Sequence, residues 1–150
     1  MSLRLVLLAA SAGVSLSVFA APAGADPYIA APIVEGAGAG NPTITGVVFD
    51  DADQDGARSE GEPGVAGVLV SNGLDWTRTD ENGRYEIAVR EDFDLTIVQP
   101  SGWRVPTDER LAPQFSYTHK PGGTGYEMRY GGLTDTGPAP AAVHFPLTRE

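Results

Sequence analysis

The chain has no cysteine and only one lysine, Lys120, among its 150 residues. Disulfides and thiolate metal sites are therefore excluded, so any cross-link beyond side-chain packing would have to come from a metal held by oxygen ligands. Ten basic residues stand against twenty acidic ones, and the formal net charge is −10. A surface of this charge repels nucleic acid and anionic membranes and attracts divalent cations.

Histidine is also scarce, with only His119 and His144. Neither lies in a D-x-H, G-D-x-x-[DE] or G-N-H-[DE] motif, which a hydrolase with two metal ions would need for its ligands. The G-x-S-x-G nucleophile motif is absent as well. A glycosidase-type pair of carboxylates remains conceivable, but the densest acidic cluster has a better explanation in metal binding. We expect no catalysis by this chain alone.

Nineteen glycines and twelve prolines disfavour long helices and favour short strands joined by turns. Residues 1–25 have the features of a secretory signal: a basic residue at Arg4, an apolar stretch and a small-residue cleavage motif that ends at Ala25. Cleavage before Asp26 is predicted, with Val18-Phe19-Ala20 as a second motif. A membrane anchor is disfavoured because the apolar stretch is short, so the mature protein is expected to be secreted and to have no membrane span.

Residues 26–42 are rich in alanine, glycine and proline and predict a flexible linker. The folded domain is predicted over residues 43–150. Its expected strands are 43–49, 65–71, 76–79, 84–90, 95–99 and 142–147, with weaker signals at 114–118 and 127–130. Pro146 predicts that the last strand lies at an edge of its sheet.

One loop between the first two predicted strands matches the D-x-[DN]-x-[DN]-G-x5-E calcium pattern at every position. Its acidic residues are Asp51, Asp53, Asp55 and Glu62, and Gly56 permits a sharp turn. The predicted ligands are the four carboxylates, the carbonyl of Ala57 and the hydroxyl of Ser59, directly or through water. A solvated acidic turn without metal is the simpler alternative. The flanks predict strands, so the loop would be EF-hand-like in its ligand spacing and not in its scaffold.

Aromatic residues offer another candidate site. Trp76, Trp103, Tyr117 and Tyr130 would suit a platform that stacks on sugar rings. Aromatic side chains also dominate the cores of small sandwiches, and with only two tryptophans in the chain we expect core packing.

The segment 47–70 resembles the B repeats of serine-aspartate-repeat surface adhesins, which pair a V-F-x-D-x-[DN]-x-D-G motif with G-E-x-G-[VI]-x-G-V. The segment 77–85 is similar to their T-x-T-D-E-N-G-x-Y hairpin. This resemblance implies a prealbumin-like (Cna-B-like) sandwich in which calcium provides rigidity. It also implies Asp51, Asp53, Asp55 and Glu62 as ligands, whereas Ser59 stands where the repeats often carry an acid.

A second resemblance covers more of the chain. The order of segments is similar to the N-terminal accessory domain of secreted calcineurin-like metallophosphoesterases, whose catalytic domain follows an F-P-L-T motif. The matching segments are 67–73, 79–85, 100–103, 115–121, 129–138 and 145–148. The resemblance implies an accessory domain whose phosphoesterase domain is absent from this chain.

Together these features predict an all-β, antiparallel, prealbumin-like sandwich that is secreted and stabilised by Ca²⁺. Its expected partners are calcium and either a downstream phosphoesterase domain or a cell-surface or polysaccharide ligand. An adhesin-like or carbohydrate-binding module is the alternative function.

Overall fold

The computed structural model describes residues 27–38, 40–124 and 132–150. These residues form nine strands and no helix: β1 Ile33–Ala37, β2 Thr43–Asp50, β3 Leu69–Ser71, β4 Trp76–Arg78, β5 Arg84–Ala88, β6 Phe93–Ile97, β7 Trp103–Arg104, β8 Ser116–His119 and β9 Pro140–Arg149. The all-β prediction is confirmed for this part of the chain. Nothing in it qualifies as an apolar helix of membrane-spanning length. The predicted signal, its cleavage site at Ala25 and Asp26, and the weak strand at 127–130 lie outside the described residues.

The strands pair in two sheets. The first has the order β1-β9-β2-β5, with β7 pairing with a further part of β9, and the second has the order β4-β3-β6-β8. The pairs are antiparallel except for β2 and β9, which run parallel with Val48 opposite Phe145. The expectation of a purely antiparallel fold is therefore wrong at this pair.

The two sheets enclose one hydrophobic core. Its fully buried side chains come from both sheets, for example Ile44 and Phe145 from the first and Val70 and Leu95 from the second. Alternation explains this arrangement on β5, where Tyr85 and Ile87 are buried while Arg84 and Glu86 are exposed. Two sheets packed face to face around such a core form a β-sandwich.

Strand β9 lies inside the first sheet, so the edge position predicted from Pro146 is wrong. The backbone N–H of Asp51 donates to the carbonyl of Leu147 at 2.8 Å, so Leu147 faces β2 and its neighbour Pro146 faces the opposite side. On that side β1 pairs with β9 up to His144, and β7 resumes pairing at Thr148. Proline is tolerated because its missing N–H falls in the gap between these two partners.

Tyr85 connects three strands of the first sheet. Its hydroxyl crosses β2 above Gly46 and donates to the carbonyl of Val143 on β9 at 2.6 Å. Burial raises the pKa of Tyr85, which keeps the hydroxyl protonated as a donor. The crossing depends on Gly46, because a Cβ at that position would lie 1.8 Å from the Val143 carbonyl oxygen.

The segment predicted as a flexible linker contains strand β1. Ile33 lies opposite His144 and Ala37 opposite Pro140, and the N–H of Gly38 bonds to the carbonyl of Ala139 at 2.8 Å. Four of the five β1 residues are exposed. The strand is thus held by backbone pairing with β9. Such pairing leaves no pattern of hydrophobic residues in the sequence of β1, so the sequence did not predict it.

Most of the other predicted strands are present with shifted ends. The prediction for 65–71 shortens to β3, because residues 65–68 lack regular strand pairing, although Val65 and Val68 are buried in the core. The weak signal at 114–118 corresponds to β8. The predicted turn at 80–83 is confirmed: Gly83 has φ +72° and its N–H donates to the carbonyl of Asp80 at 3.0 Å.

Candidate metal centre

The acidic loop 51–62 leaves the end of β2 and returns beside it. The N–H of Asp50 donates to the carbonyl of Pro63 at 2.9 Å, and Phe49 forms an isolated bridge with Gly64. The N–H of Asp51 is bound to Leu147 on β9. Both ends of the loop are therefore fixed to the first sheet, and only its middle projects from the sandwich.

Three carboxylates converge in this loop. Asp51, Asp53 and Asp55 each offer an oxygen, and these oxygens lie within 4.8 Å of one another. Asp51 is fully buried, whereas Asp53 and Asp55 are exposed. The cluster thus has one fixed inner carboxylate and two outer carboxylates open to solvent. The sequence pattern predicted all three residues as ligands, and the structure places them together.

Asp51 is held by donors on both carboxylate oxygens. The N–H of Asp55 donates to Oδ1 at 3.2 Å, and the N–H of Gly56 donates to Oδ2 at 3.0 Å. The hydroxyl of Tyr28 also donates to Oδ2. Burial, together with this bond and the nearby negative charges, raises the pKa of Tyr28. Tyr28 is 4% exposed, so it closes the inner side of the cluster against water.

The loop turns sharply between the three aspartates. Gln54 and Gly56 have φ of +61° and +74°, in the left-handed region that glycine adopts without strain. Gln54 is not a glycine and adopts this conformation nonetheless. Its side-chain amide donates to the Thr148 hydroxyl at 3.3 Å. A Cβ on Gly56 would also lie 3.0 Å from the Cβ of Ala30. The turn is thus packed against the segment that carries Tyr28.

Glu62 does not belong to the convergent group. Its Oε1 accepts the N–H of Ala52 at 3.1 Å, and its Oε2 accepts the N–H of Ser59 at 2.9 Å. These bonds tie the end of the loop to its start, and the carboxylate would have to leave them to reach a metal. Ligation by Glu62, by the Ala57 carbonyl and by the Ser59 hydroxyl therefore remains a prediction.

The electrostatics of the cluster favour a cation. Two carboxylates about 4 Å apart repel each other by about 1 kcal/mol in water and about 4 kcal/mol at the effective dielectric of a protein surface. Donors made entirely of oxygen suit a hard divalent cation such as Ca²⁺ or Mg²⁺. The residues present therefore fit a metal of this class.

The two histidines have structural contacts. The ring of His119 lies 5.1 Å from that of Phe93, and its Nδ1 is 3.1 Å from the Thr136 hydroxyl. The Nδ1 of His144 accepts the N–H of Val47 at 3.0 Å. Within the described residues, the three aspartates are the one group of three or more acidic or histidine side chains close enough to share a metal.

The four aromatic residues of the candidate sugar platform do not share one environment. Trp103 and Tyr117 pack against the core, and the guanidinium of Arg149 lies 4.6 Å from the centre of a Trp103 ring. Trp76 is 69% exposed, so core packing is the wrong prediction for this residue. Tyr130 lies outside the described residues.

Sequence reasoning missed Tyr28. The residue lies 23 positions before Asp51, in a stretch whose composition predicts a linker, so the calcium-loop pattern does not include it. The one available signal was the aromatic residue itself, flanked by Pro27 and Ile29 in a segment otherwise rich in small residues.

Comparison with known proteins identifies the domain. A family profile described as the N terminal of calcineurin-like phosphoesterase matches residues 52–131, which is more than half of the chain. Searches of curated proteins and of solved structures found no match. The matched region begins inside the acidic loop and includes the turn at 80–83 and strands β3 to β8. The chain therefore belongs to the family of N-terminal domains of calcineurin-like phosphoesterases.

Proposed function

We propose that this chain is a secreted, prealbumin-like sandwich module that Ca²⁺ makes rigid, and that it serves as a structural accessory domain to a phosphoesterase. The observation that carries the proposal is the convergence of three carboxylate oxygens within 4.8 Å, one of them on a fully buried aspartate. Family membership supports the accessory role, because the matched profile describes the N-terminal part of such enzymes. The absence of cysteine supports a metal as the stabilising cross-link.

Calcium is favoured over magnesium by the coordination chemistry. Ca²⁺ accepts six to eight oxygens in flexible geometry, whereas Mg²⁺ demands a near-ideal octahedron and dehydrates reluctantly. A loop with three converging carboxylates, whose remaining coordination positions would be filled by other oxygens or water, suits the more flexible ion. Secretion fits the same choice, because extracellular modules bind calcium with dissociation constants of about 10⁻⁴–10⁻³ M.

A bound cation would connect three parts of the fold. Asp51 continues β2 and is bonded to β9, Asp53 and Asp55 belong to the loop, and Tyr28 joins the N-terminal segment to the same carboxylate. Neutralising the mutual repulsion of the carboxylates would hold these parts in one arrangement. The expected role is therefore rigidity and not chemistry.

The first prediction concerns stability. Adding about 10 mM calcium to chelator-treated protein should raise the unfolding free energy by about 2.7 kcal/mol for a dissociation constant of about 10⁻⁴ M, since only the native state holds the carboxylates together. At roughly 2–4 °C per kcal/mol, the melting temperature should rise by about 5–10 °C. Differential scanning calorimetry with and without calcium measures this shift.

Two variants control the measurement. Asp53→Asn should lose most of the calcium-dependent shift, whereas Glu91→Gln removes one negative charge at an exposed position after β5, near the start of β2 and remote from the loop at its end, and should retain it. A wild-type melting temperature that does not respond to calcium contradicts the proposal. Equal shifts in both variants would show a nonspecific charge effect instead.

The second prediction concerns Tyr28. Tyr28→Phe removes the hydroxyl that donates to Asp51 and should weaken calcium binding by about 10- to 100-fold, as the loss of an outer partner of a metal ligand typically does. Isothermal titration calorimetry gives the dissociation constant. Tyr85→Phe is the matched control, because it removes a buried hydroxyl bonded to Val143 in the core. Equal affinities for the Tyr28 variant and the wild type would mean that Tyr28 does not orient the ligand.

A further inference from the structure

The outer face of the second sheet carries an exposed tryptophan beside a row of hydroxyls. Trp76 lies opposite Ser71, Ser71 lies opposite Thr96, and Thr96 lies opposite Ser116. Directly paired residues present their side chains on the same face of a sheet. Their neighbours Val70, Leu95 and Ile97 are buried in the core, so the row faces solvent. We name these four residues, Trp76, Ser71, Thr96 and Ser116, the hydroxyl row.

The turn that leads into Trp76 is held by several contacts, although the indole itself is exposed. The turn that precedes it is organised by Asn72, which is 3% exposed. Its Oδ1 accepts the N–H of Leu74 at 3.0 Å and of Asp75 at 2.7 Å, and its Nδ2 donates to the Ala88 carbonyl at 2.8 Å. Arg90 also forms an ion pair with Asp75. The indole is therefore presented from a fixed backbone, which limits the entropy that a ligand would cost on binding.

Hydroxyls of the row retain bonding capacity. No hydrogen bond from the Ser116 hydroxyl to another described residue is present, and the Thr96 hydroxyl makes only a 3.5 Å contact with the Asp94 carbonyl. Ser71 is occupied, since it donates to the Asp75 carbonyl at 3.0 Å and accepts the N–H of Gly73 at 3.1 Å. The hydroxyls of Thr96 and Ser116, two and three strands from Trp76, can thus donate to and accept from a ligand.

The charge of the face selects the ligand. The protein carries a net charge of −10, but the hydroxyl row is uncharged. Nearby Asp94 accepts the Thr118 hydroxyl at 2.6 Å, and Arg78 donates to the Gly67 carbonyl at 2.8 Å. A polyanion would be repelled by the whole protein, and a basic ligand would find few free carboxylates on this face. A neutral ligand rich in hydroxyls, with an apolar ring face for the indole, is complementary to both features.

The dimensions of the row suggest a chain of sugars. Four neighbouring strands are separated by three spacings of about 4.8 Å, so the row extends over about 14 Å. We propose that the hydroxyl row binds a neutral polysaccharide. Trp76 would stack on one sugar ring, and Thr96 and Ser116 would form hydrogen bonds with hydroxyls of the polysaccharide. Asn72 bonds to Ala88 near the start of β2, whereas the acidic loop follows its end. The proposal is thus independent of calcium.

Affinity electrophoresis of the full chain tests the proposal. Native gels would contain hydroxyethyl cellulose, arabinoxylan, galactomannan, laminarin or the anionic polysaccharide alginate, each with calcium and with chelator. We expect retardation by at least one neutral polysaccharide under both conditions. Trp76→Ala should weaken that binding by about tenfold or more, and Trp76→Phe should retain part of it. Val34→Ala, which changes an exposed side chain on β1 in the other sheet, should bind like wild type.

A second measurement shows whether Trp76 itself is covered. Trp103→Phe leaves Trp76 as the single tryptophan, and its fluorescence should shift to shorter wavelength when the retained polysaccharide is added. Unchanged melting temperatures would establish that the Trp76 variants are folded. The proposal is overturned if no neutral polysaccharide retards the protein, if Trp76→Ala binds as well as wild type, or if only alginate retards it. Self-association in light scattering that disappears in Trp76→Ala would assign the face to a second copy and would overturn it as well.

Discussion

Replacing Gly46 by alanine is expected to remove more than about 4 kcal/mol of unfolding free energy, a large part of the total stability of a small domain. The added Cβ would lie 1.8 Å from the Val143 carbonyl oxygen and 2.5 Å from the Tyr85 hydroxyl. Relief would require β2 and β9 to separate, and this parallel pair lies at the centre of the first sheet. Urea unfolding followed by circular dichroism measures the loss.

Two comparisons define the cause. Thr45→Ala changes the neighbouring exposed side chain and should alter stability by less than about 0.5 kcal/mol. Adding Tyr85→Phe to Gly46→Ala removes the hydroxyl but leaves the contact with the Val143 carbonyl, so it should restore little stability. Near-native stability of Gly46→Ala would show that the two strands tolerate separation at this point.

A chain that begins at residue 41 is expected to be less stable than one that begins at residue 27 by about 4 kcal/mol or more. The missing segment contains Tyr28, and deleting a buried aromatic side chain alone costs about 3–5 kcal/mol. The truncation also exposes the edge of β9 that pairs with β1 and removes a donor from Asp51. Entropy gained by no longer ordering the segment offsets part of these losses.

The comparison separates a folded segment from a flexible linker. Midpoints of urea unfolding for the two chains give the difference, and Tyr28→Ala against Ile29→Ala locates it, because Ile29 is 42% exposed. Equal midpoints for the two chains would support the linker predicted from composition. A loss confined to Tyr28→Ala would assign the stability to this one contact.

Local sequence patterns predicted the strands whose own residues show a β-branched run or an alternation of buried and exposed positions. The β-branched run at 43–49 predicted β2, and the alternation from Arg84 predicted β5. Strand β1 was missed because its residues are exposed and its stability comes from pairing with β9, about a hundred residues later. Pro146 predicted an edge strand because proline lacks the N–H that pairing uses. The sequence does not show that this position falls between the parts of β9 that pair with β1 and with β7.

In the candidate site, too, only the features that depend on local spacing were predictable from the sequence. The spacing of Asp51, Asp53 and Asp55 predicted that they lie close together, because a turn places side chains within five residues of one another near each other. The spacing did not predict that Glu62 bonds to the backbone of its own loop, nor that Tyr28 closes the cluster from outside it. Both depend on tertiary packing, which a local motif does not encode.

The position of β9 in the first sheet has a consequence for folding during synthesis. Residues 140–149 pair with β1, β2 and β7, so the first sheet is incomplete until they have left the ribosome. Until then, β2 has β5 as its one sheet neighbour among the described residues, and β1 has none. Such long-range pairing gives the fold a high contact order, and we expect it to form slowly and largely after translation of this strand.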